Sequence, residues 1–276
     1  MGLFLTNEQL WDMPMATAKQ RGVDPSRENG GKHISHFIGN VCYGALFLAF
    51  KIAFRYKVDG IENLRRFAGK SGCVMVCNHT SYLDVIFLYL SARPKQWPRF
   101  MGRENMFENG HGFAGAMMSR VGAFPVKRDS ADRSAIKRAA KMLKQGDVVC
   151  IFPEGTRRGR GTADSSLHGG AAFIARMGGV PIVPVTVRGA EKVKVKGSKR
   201  IHFPKISVEY GKPIDLSDFD SVDKKERLDV ISWHAMRQCY AMFYNIEPEE
   251  VDMKGLFPDS PDYSEVIDDV LGDQED

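Results

Sequence analysis

Positions 73–84 of the chain read CVMVCNHTSYLD, and this stretch decides the fold. Its first five residues are all apolar, which is typical of a strand buried on both faces of a sheet. The strand leads to Asn78 and His79, and a polar turn then precedes a second apolar run with helical spacing. Open α/β sheets place their ligand sites at the carboxyl ends of such strands. The sequence therefore predicts that His79 lies at a functional edge of a sheet.

The same alternation continues along the chain. We predict strands at 73–77, 121–126, 148–152, 182–187 and 206–210, helices at 81–90, 131–144 and 167–177, and a closing helical segment at 216–244. Apolar strands that alternate with helices indicate an α/β fold with helices on both faces of the sheet. The expected architecture is a single domain over residues 57–244, with a mostly buried mixed sheet flanked by helices.

His79 is followed five positions later by the carboxylate of Asp84. A general base and its orienting partner require such a pair. Ser81 and Asp84 also have the spacing of a capping box, which would explain both residues without any chemistry. In an ideal helix His79 and Asp84 would lie about 140° apart, so their contact requires His79 to fold back from the turn before the helix. A zinc site is disfavoured, because the pair has too few neighbouring ligands.

Residues 152–157 read FPEGTR and follow the strand predicted at 148–152. Pro153 and Gly155 predict a tight turn. That turn would leave Glu154, Thr156 and Arg157 at the same sheet edge as His79, where a guanidinium suits an anionic substrate. A surface turn with a salt bridge is the structural alternative.

Two weaker strings complete the pattern, VGAFPVKR at 121–128 and IVPV at 182–185. In this order and spacing, the four strings resemble the motifs of the glycerolipid acyltransferases, specifically the PlsC-like 1-acylglycerol-3-phosphate acyltransferase family. The resemblance covers residues 57–215. It implies transfer of a fatty acyl group to the sn-2 hydroxyl of 1-acyl-sn-glycerol 3-phosphate, a lysophosphatidic acid, to give phosphatidic acid. It also implies a catalytic pair and a set of substrate-binding residues. The pair is His79 and Asp84, and the set is Arg128, Glu154, Gly155, Thr156 and Arg157.

The resemblance implies no metal and no cofactor, because the co-substrate is the thioester of acyl-CoA or of acyl carrier protein. A backbone N–H near the His79 turn is the expected oxyanion donor. Two alternatives remain open at this point. The acceptor could be glycerol 3-phosphate or another lysophospholipid, or the chain could be a non-catalytic lipid-binding protein of the same fold.

Residues 1–32 are polar, and residues 33–56 are predicted to form an amphipathic, membrane-associated helix. Its uninterrupted apolar run of about fourteen residues is shorter than the roughly twenty that cross a bilayer. Arg55 and Lys57 follow at once, as is common where a helix end meets lipid headgroups. A buried core helix would show the same periodicity. The resemblance favours a helix that lies in the interface, making the protein peripheral or monotopic on the cytoplasmic face of a membrane.

The net charge of +5 is unevenly distributed. Residues 245–276 carry twelve acidic residues and one lysine, so the rest of the chain has a net charge of +16. A basic body indicates anionic partners, here membrane lipids and phosphorylated substrates, and no nucleic-acid motif is present. The five cysteines form no disulfide framework and indicate a reducing compartment. The acidic segment 245–276 is expected to be a loose C-terminal tail with one weak helix.

Overall fold

One mixed sheet forms the centre of the protein, whose structure is a computed structural model. The structure describes residues 36–93, 95, 96, 98–108, 118, 122–126, 132–155, 157, 166–194 and 200–272. Within these residues the strands are β1 (Lys57–Asp59), β2 (Cys73–Cys77), β3 (Pro98–Arg103), β4 (Phe124–Val126), β5 (Val148–Ile151), β6 (Ile182–Arg188) and β7 (Ser207–Tyr210). Their order across the sheet is β1-β7-β6-β2-β5-β3-β4. Neighbouring strands are parallel except β6 and β7, so the predicted mixed α/β sheet is confirmed.

Helices cover both faces of this sheet. They are α1 (His36–Ala53), α2 (Ile61–Arg65), α3 (Leu83–Ala92), α4 (Glu104–Glu108), α5 (Arg133–Lys144), α6 (Gly170–Gly178), α7 (Arg227–Tyr244), α8 (Met253–Leu256) and α9 (Ser264–Gly272). Alternate residues of β2 point to opposite faces, as in any strand. Val74 and Val76 pack with α5, α6 and α7, whereas Met75 and Cys77 pack with α1 and α3. Burial on both faces explains why the strand reads as a continuous apolar run.

Local chemistry sets several helix boundaries. The Asp132 carboxylate accepts the N–H groups of Ser134 and Ala135 and thereby caps the first turn of α5. Gly179 follows the last residue of α6 in the left-handed region, with φ of 67°, and Asn245 follows α7 with φ of 58°. Glycine and asparagine tolerate this conformation, so both ends follow from residue type. The predicted helices therefore agree with α3, α5 and α6 to within about three residues.

Strands β1 and β3 were not predicted. Strand β1 has three residues and a mostly exposed surface, so it carries little apolar signal. Strand β3 contains two arginines, of which Arg99 is buried and bonded to Asp147 with an Nε–Oδ2 distance of 3.2 Å. A charged residue inside a buried strand breaks the apolar pattern on which strand prediction depends. The ion pair, which is made across 48 positions, accounts for the charge at this buried position.

The prediction of a loose C-terminal tail is wrong for residues 245–272. Helices α8 and α9 both belong to this segment, and Phe257 and Ile267 are buried in the same core cluster as α7. Tyr263 meets Trp233 of α7 edge to face, with ring centroids 6.4 Å apart. Apolar residues recur at helical spacing in 263–271 and were an available signal for α9. The twelve acidic residues of 245–276 outweighed that signal in the prediction.

Helix α1 lies within the predicted range 33–56 and presents two apolar faces. Aromatic side chains at helical spacing form one face and pack on the domain: Phe50 meets Phe87 with ring centroids 5.4 Å apart, and the Tyr43 hydroxyl donates to the Leu90 carbonyl at 3.1 Å. The opposite face is exposed, with Leu48 at 59% and Ile52 at 71%. In the described part of the chain, no helix has the length and apolar character needed to cross a membrane.

Candidate active site

The two strongest motifs meet at the carboxyl ends of neighbouring strands. Strands β2 and β5 are parallel, and Val76 pairs with Ile151. The residues that follow each strand therefore emerge side by side. The imidazole of His79 stacks on the ring of Phe152, with centroids 4.2 Å apart and planes at 28°. The predicted common sheet edge is present.

His79 and Asp84 are in direct contact. The His79 Nδ1 lies 3.0 Å from the Asp84 Oδ2, and Asp84 is fully buried in the first turn of α3. His79 belongs to the turn before the helix and folds back over it, which is the geometry that the contact required. A carboxylate is an acceptor, so the imidazole presents a proton at Nδ1, and Nε2 is the nitrogen that can accept another.

Asp84 also shapes the turn that carries His79. The same Oδ2 accepts the backbone N–H groups of Thr80 and Ser81, each at 2.8 Å. The Ser81 hydroxyl in turn accepts the N–H of Leu83 at 3.3 Å. The Asp84 half of the predicted capping box is therefore present, whereas the Ser81 hydroxyl bonds to Leu83 and not to Asp84. The imidazole contact uses the same oxygen of Asp84. Asp84 orients the His79 ring directly and also through the backbone of the turn.

Glu154 lies beneath the turn of His79. Its exposed fraction is 0%, Oε2 accepts the backbone N–H of His79 at 2.8 Å, and Oε1 accepts the hydroxyl of Tyr240. The resemblance implied a substrate-binding role, but a side chain with no exposed surface does not reach a substrate in this conformation. The reason is that the turn after β5 directs Glu154 inward, under β2. The carboxylate instead supports the position of His79.

The mouth of the site carries positive charge. Gly155 has φ of 61°, a conformation that favours glycine and allows the tight turn. The guanidinium carbon of Arg157 lies 3.3 Å from the centre of the Tyr82 ring, which is half exposed. Arg103, at the end of β3, donates to the Gly155 carbonyl at 3.3 Å. Arg128 and Thr156 lie outside the described residues.

The expected oxyanion donor is not found among the N–H groups of residues 79–81. Glu154 accepts the N–H of His79, and Asp84 accepts those of Thr80 and Ser81. These groups hold the turn, so they are not aimed at a substrate oxygen. Two buried carboxylates occupy these three N–H groups, and the predicted donor near the turn stays a prediction for the other N–H groups there.

Sequence reasoning missed three residues that support the site. Tyr240 lies 86 positions after Glu154, and Thr186 donates its hydroxyl to the Asn78 Oδ1 at 2.8 Å across 108 positions. Arg103 belongs to the strand that was not predicted. Nothing next to Tyr240 in the sequence marks it, since it lies on an apolar stretch of α7. Only Thr186 had an available signal, as a hydroxyl within the apolar strand of the fourth motif.

The thiols near the site are not nucleophiles at neutral pH. Burial raises the pKa of Cys77 well above its ordinary value and that of Cys239 to about 12. Both remain protonated, and Cys239 donates to the carbonyl of Val76 with an S–O distance of 3.2 Å. Among the described residues, no group of three His, Cys, Asp or Glu side chains could hold a metal ion.

Comparisons with known proteins agree with this site. The Acyltransferase family model matches residues 55–188, which include His79, Asp84, Arg128 and the turn at 152–157. The chain is 34% identical over 187 residues to a 1-acyl-sn-glycerol-3-phosphate acyltransferase of Bacillus subtilis, covering 68% of this chain and 87% of that protein. It is 32% identical over 151 residues to a protein of the same name from Streptococcus pneumoniae, covering 54% and 53%.

A solved structure shares the fold. The crystal structure of the 1-acyl-sn-glycerophosphate (LPA) acyltransferase PlsC from Thermotoga maritima superposes with a TM-score of 0.53 at 20% identity, covering 76% of this chain and 84% of that chain. Fold, motif order and sequence similarity thus agree. This chain belongs to the acyltransferase family that contains the 1-acyl-sn-glycerol-3-phosphate acyltransferases.

Proposed function

We propose that this protein transfers a fatty acyl group from an acyl thioester to the sn-2 hydroxyl of 1-acyl-sn-glycerol 3-phosphate, giving phosphatidic acid. The observation that carries the proposal is the His79–Asp84 pair, 3.0 Å apart and next to the FPEGTR turn. The names of the relatives from Bacillus subtilis and Streptococcus pneumoniae support the choice of acceptor.

In the reaction, the acceptor hydroxyl attacks the thioester carbonyl while the Nε2 of His79 takes its proton. The C–S bond then breaks, and the leaving thiolate receives a proton from the imidazolium. Asp84 stabilises the charged ring, because its buried carboxylate faces Nδ1. The acceptor is itself the nucleophile, so no acyl-enzyme is needed. The protonated state of the nearby thiols supports this direct transfer.

Arg157 is proposed to bind the acceptor phosphate at the mouth of the site. Its guanidinium rests on the Tyr82 ring, which limits its conformations while its N–H groups remain able to bind an anion. The resemblance assigns Arg128 to the same phosphate. The donor is acyl-CoA or an acyl carrier protein thioester, and the basic body suits both, because each is anionic.

The activity is tested by following release of thiol from an acyl thioester with and without lysophosphatidic acid. We expect release that depends on the acceptor and is lost in His79→Ala. His168→Ala is the matched control, since His168 is exposed and its ring bonds to the Ser166 hydroxyl instead of to a carboxylate. Thiol release equal in parent protein and His79→Ala would contradict the mechanism. Preference for glycerol 3-phosphate or lysophosphatidylcholine would reassign the acceptor.

We also propose that α1 attaches the protein to the cytoplasmic face of a membrane as a peripheral or monotopic helix. The support is its second apolar face, which holds the exposed residues Val41, Leu48 and Ile52. A helix with one face on its domain and the other apolar and exposed is suited to lie in a lipid interface. The four described cysteines are unpaired thiols, as in a reducing compartment.

Leu48→Ser/Ile52→Ser tests this attachment without altering the packed face of α1. We expect the variant to move from the membrane to the soluble fraction. Single cysteines at positions 30 and 58, labelled with an impermeant reagent in sealed vesicles, test sidedness. Labelling from opposite sides would show that the chain crosses the bilayer, contrary to this proposal.

A further inference from the structure

The segment 200–205, called here the 200–205 loop, carries two large apolar side chains on the protein surface. Ile201 is 64% exposed and Phe203 is 56% exposed. Single exposed apolar residues are ordinary on proteins, whereas a contiguous group of them marks a contact surface. Whether the loop forms a contact surface therefore depends on the residues next to it.

The 200–205 loop is fixed against the end of α1. The Phe203 ring packs on Phe54 with centroids 5.3 Å apart, and the Arg55 guanidinium donates to the Phe203 carbonyl at 3.0 Å. The backbone N–H of Ile206 also donates to the carbonyl of Phe54 at 3.0 Å. Ile52, the most exposed large apolar residue of α1, lies two residues before Phe54 but points to the other, exposed side of the helix. The loop therefore adds a second, separate apolar element at the same end of α1.

Exposed basic residues lie on or near both elements in the sequence. They are Lys51, Arg55, Lys57, Lys194, Arg200 and Lys205. An apolar centre with a basic rim matches a bilayer with anionic headgroups, where apolar side chains enter the acyl region and cations meet phosphates. The local excess of exposed basic side chains favours an anionic lipid surface as the partner.

The direction of α1 relates the loop to the position of the active site. Tyr43 bonds to the carbonyl of Leu90, and Phe50 and Phe54 both meet Phe87, so α1 runs antiparallel to α3. The end of α1 that holds the loop is therefore directed toward the start of α3, where the His79–Asp84 pair lies. A bilayer held at this end lies beside the catalytic turn.

We propose that the 200–205 loop inserts Ile201 and Phe203 into an anionic membrane and, together with α1, holds the active site against the lipid that supplies its acceptor. The inference rests on the proposed membrane attachment and adds a second contact element to it.

Insertion is measured with Phe203→Trp and with vesicles of phosphatidylcholine and phosphatidylglycerol that have brominated acyl chains. The new indole is expected to be quenched by the brominated lipid, after subtraction of the parent protein with its three native tryptophans. Met177→Trp is the matched control, because Met177 is 40% exposed on α6, which packs on the opposite face of the sheet. We expect no added quenching in that variant.

Binding is measured with Ile201→Ser/Phe203→Ser by co-sedimentation with the same vesicles without bromine. The loss of two inserted side chains should weaken binding by roughly tenfold or more, while Met177→Ser binds like the parent protein. Bound protein without quenching of the new indole would overturn the loop contact and leave the attachment through α1 intact. A parent protein that fails to bind vesicles would overturn both, whereas missing acyl transfer with normal quenching would count only against the proposed activity.

Discussion

Tyr240→Phe removes one hydroxyl from the support of the catalytic turn and leaves the ring in place. The hydroxyl donates to Glu154, whose other oxygen accepts the N–H of His79. A hydrogen bond to a buried charged group contributes about 1.5–3 kcal/mol, so unfolding should become easier by that amount. The ring contact with Phe257, at a centroid distance of 6.3 Å, should survive the change.

The same substitution should lower kcat more than it raises KM. Glu154 is fully buried and holds the His79 turn. A loosened carboxylate allows that turn to move, and a displaced base costs roughly 10- to 100-fold in rate. Urea unfolding gives the stability change, and thiol release gives kcat and KM. Tyr244→Phe is the control, since Tyr244 lies one turn later on α7 and is half exposed. A Tyr240→Phe enzyme with parental stability and kcat would refute the coupling of α7 to the catalytic turn.

Three further predictions follow from the site and the core. His79→Ala should lower kcat by roughly 10²–10⁴-fold while the protein stays folded. Asp84→Asn should lower kcat to a comparable extent and should also destabilise the turn. A folded, fully active His79→Ala enzyme would exclude the pair as the catalytic base. Arg157→Ala should raise the KM for the phosphorylated acceptor by about 10- to 150-fold and the KM for the thioester by less, and Arg157→Lys should restore only part of the loss. Steady-state kinetics with each substrate varied in turn measures both KM values. A larger rise in the KM for the thioester would show that the two substrates were assigned wrongly. Burial, assisted by Arg237, lowers the pKa of His234 to about 4 from 6.5, so its contribution to stability is full above pH 6.5 and is lost as the pH falls toward 4. That loss amounts to about 3 kcal/mol, and urea unfolding of His234→Leu between pH 7 and 4 should show a correspondingly flatter profile.

The local parts of the fold could be predicted from the sequence. Strand β2 was predicted to the residue, because burial on both faces leaves a continuous apolar run with polar ends. The contact of His79 with Asp84 was predictable because only five positions separate them and helix geometry restricts how they can meet. Strand β3 was missed because its buried Arg99 depends on Asp147, a residue far away in the chain.

The sequence by itself determined the α/β class, the two turns that bring the motifs to one sheet edge, and the family. These features depend on residue type and on spacings of a few positions, which local backbone geometry converts directly into structure. Only the tertiary structure decided that Glu154 points inward, that Tyr240 of α7 holds it, and that residues 245–272 pack on the core instead of forming a loose tail. It also decided which face of α1 meets the domain and which stays exposed. Each of these features arises from contacts between segments distant in the chain, and no local pattern encodes which distant segments will meet.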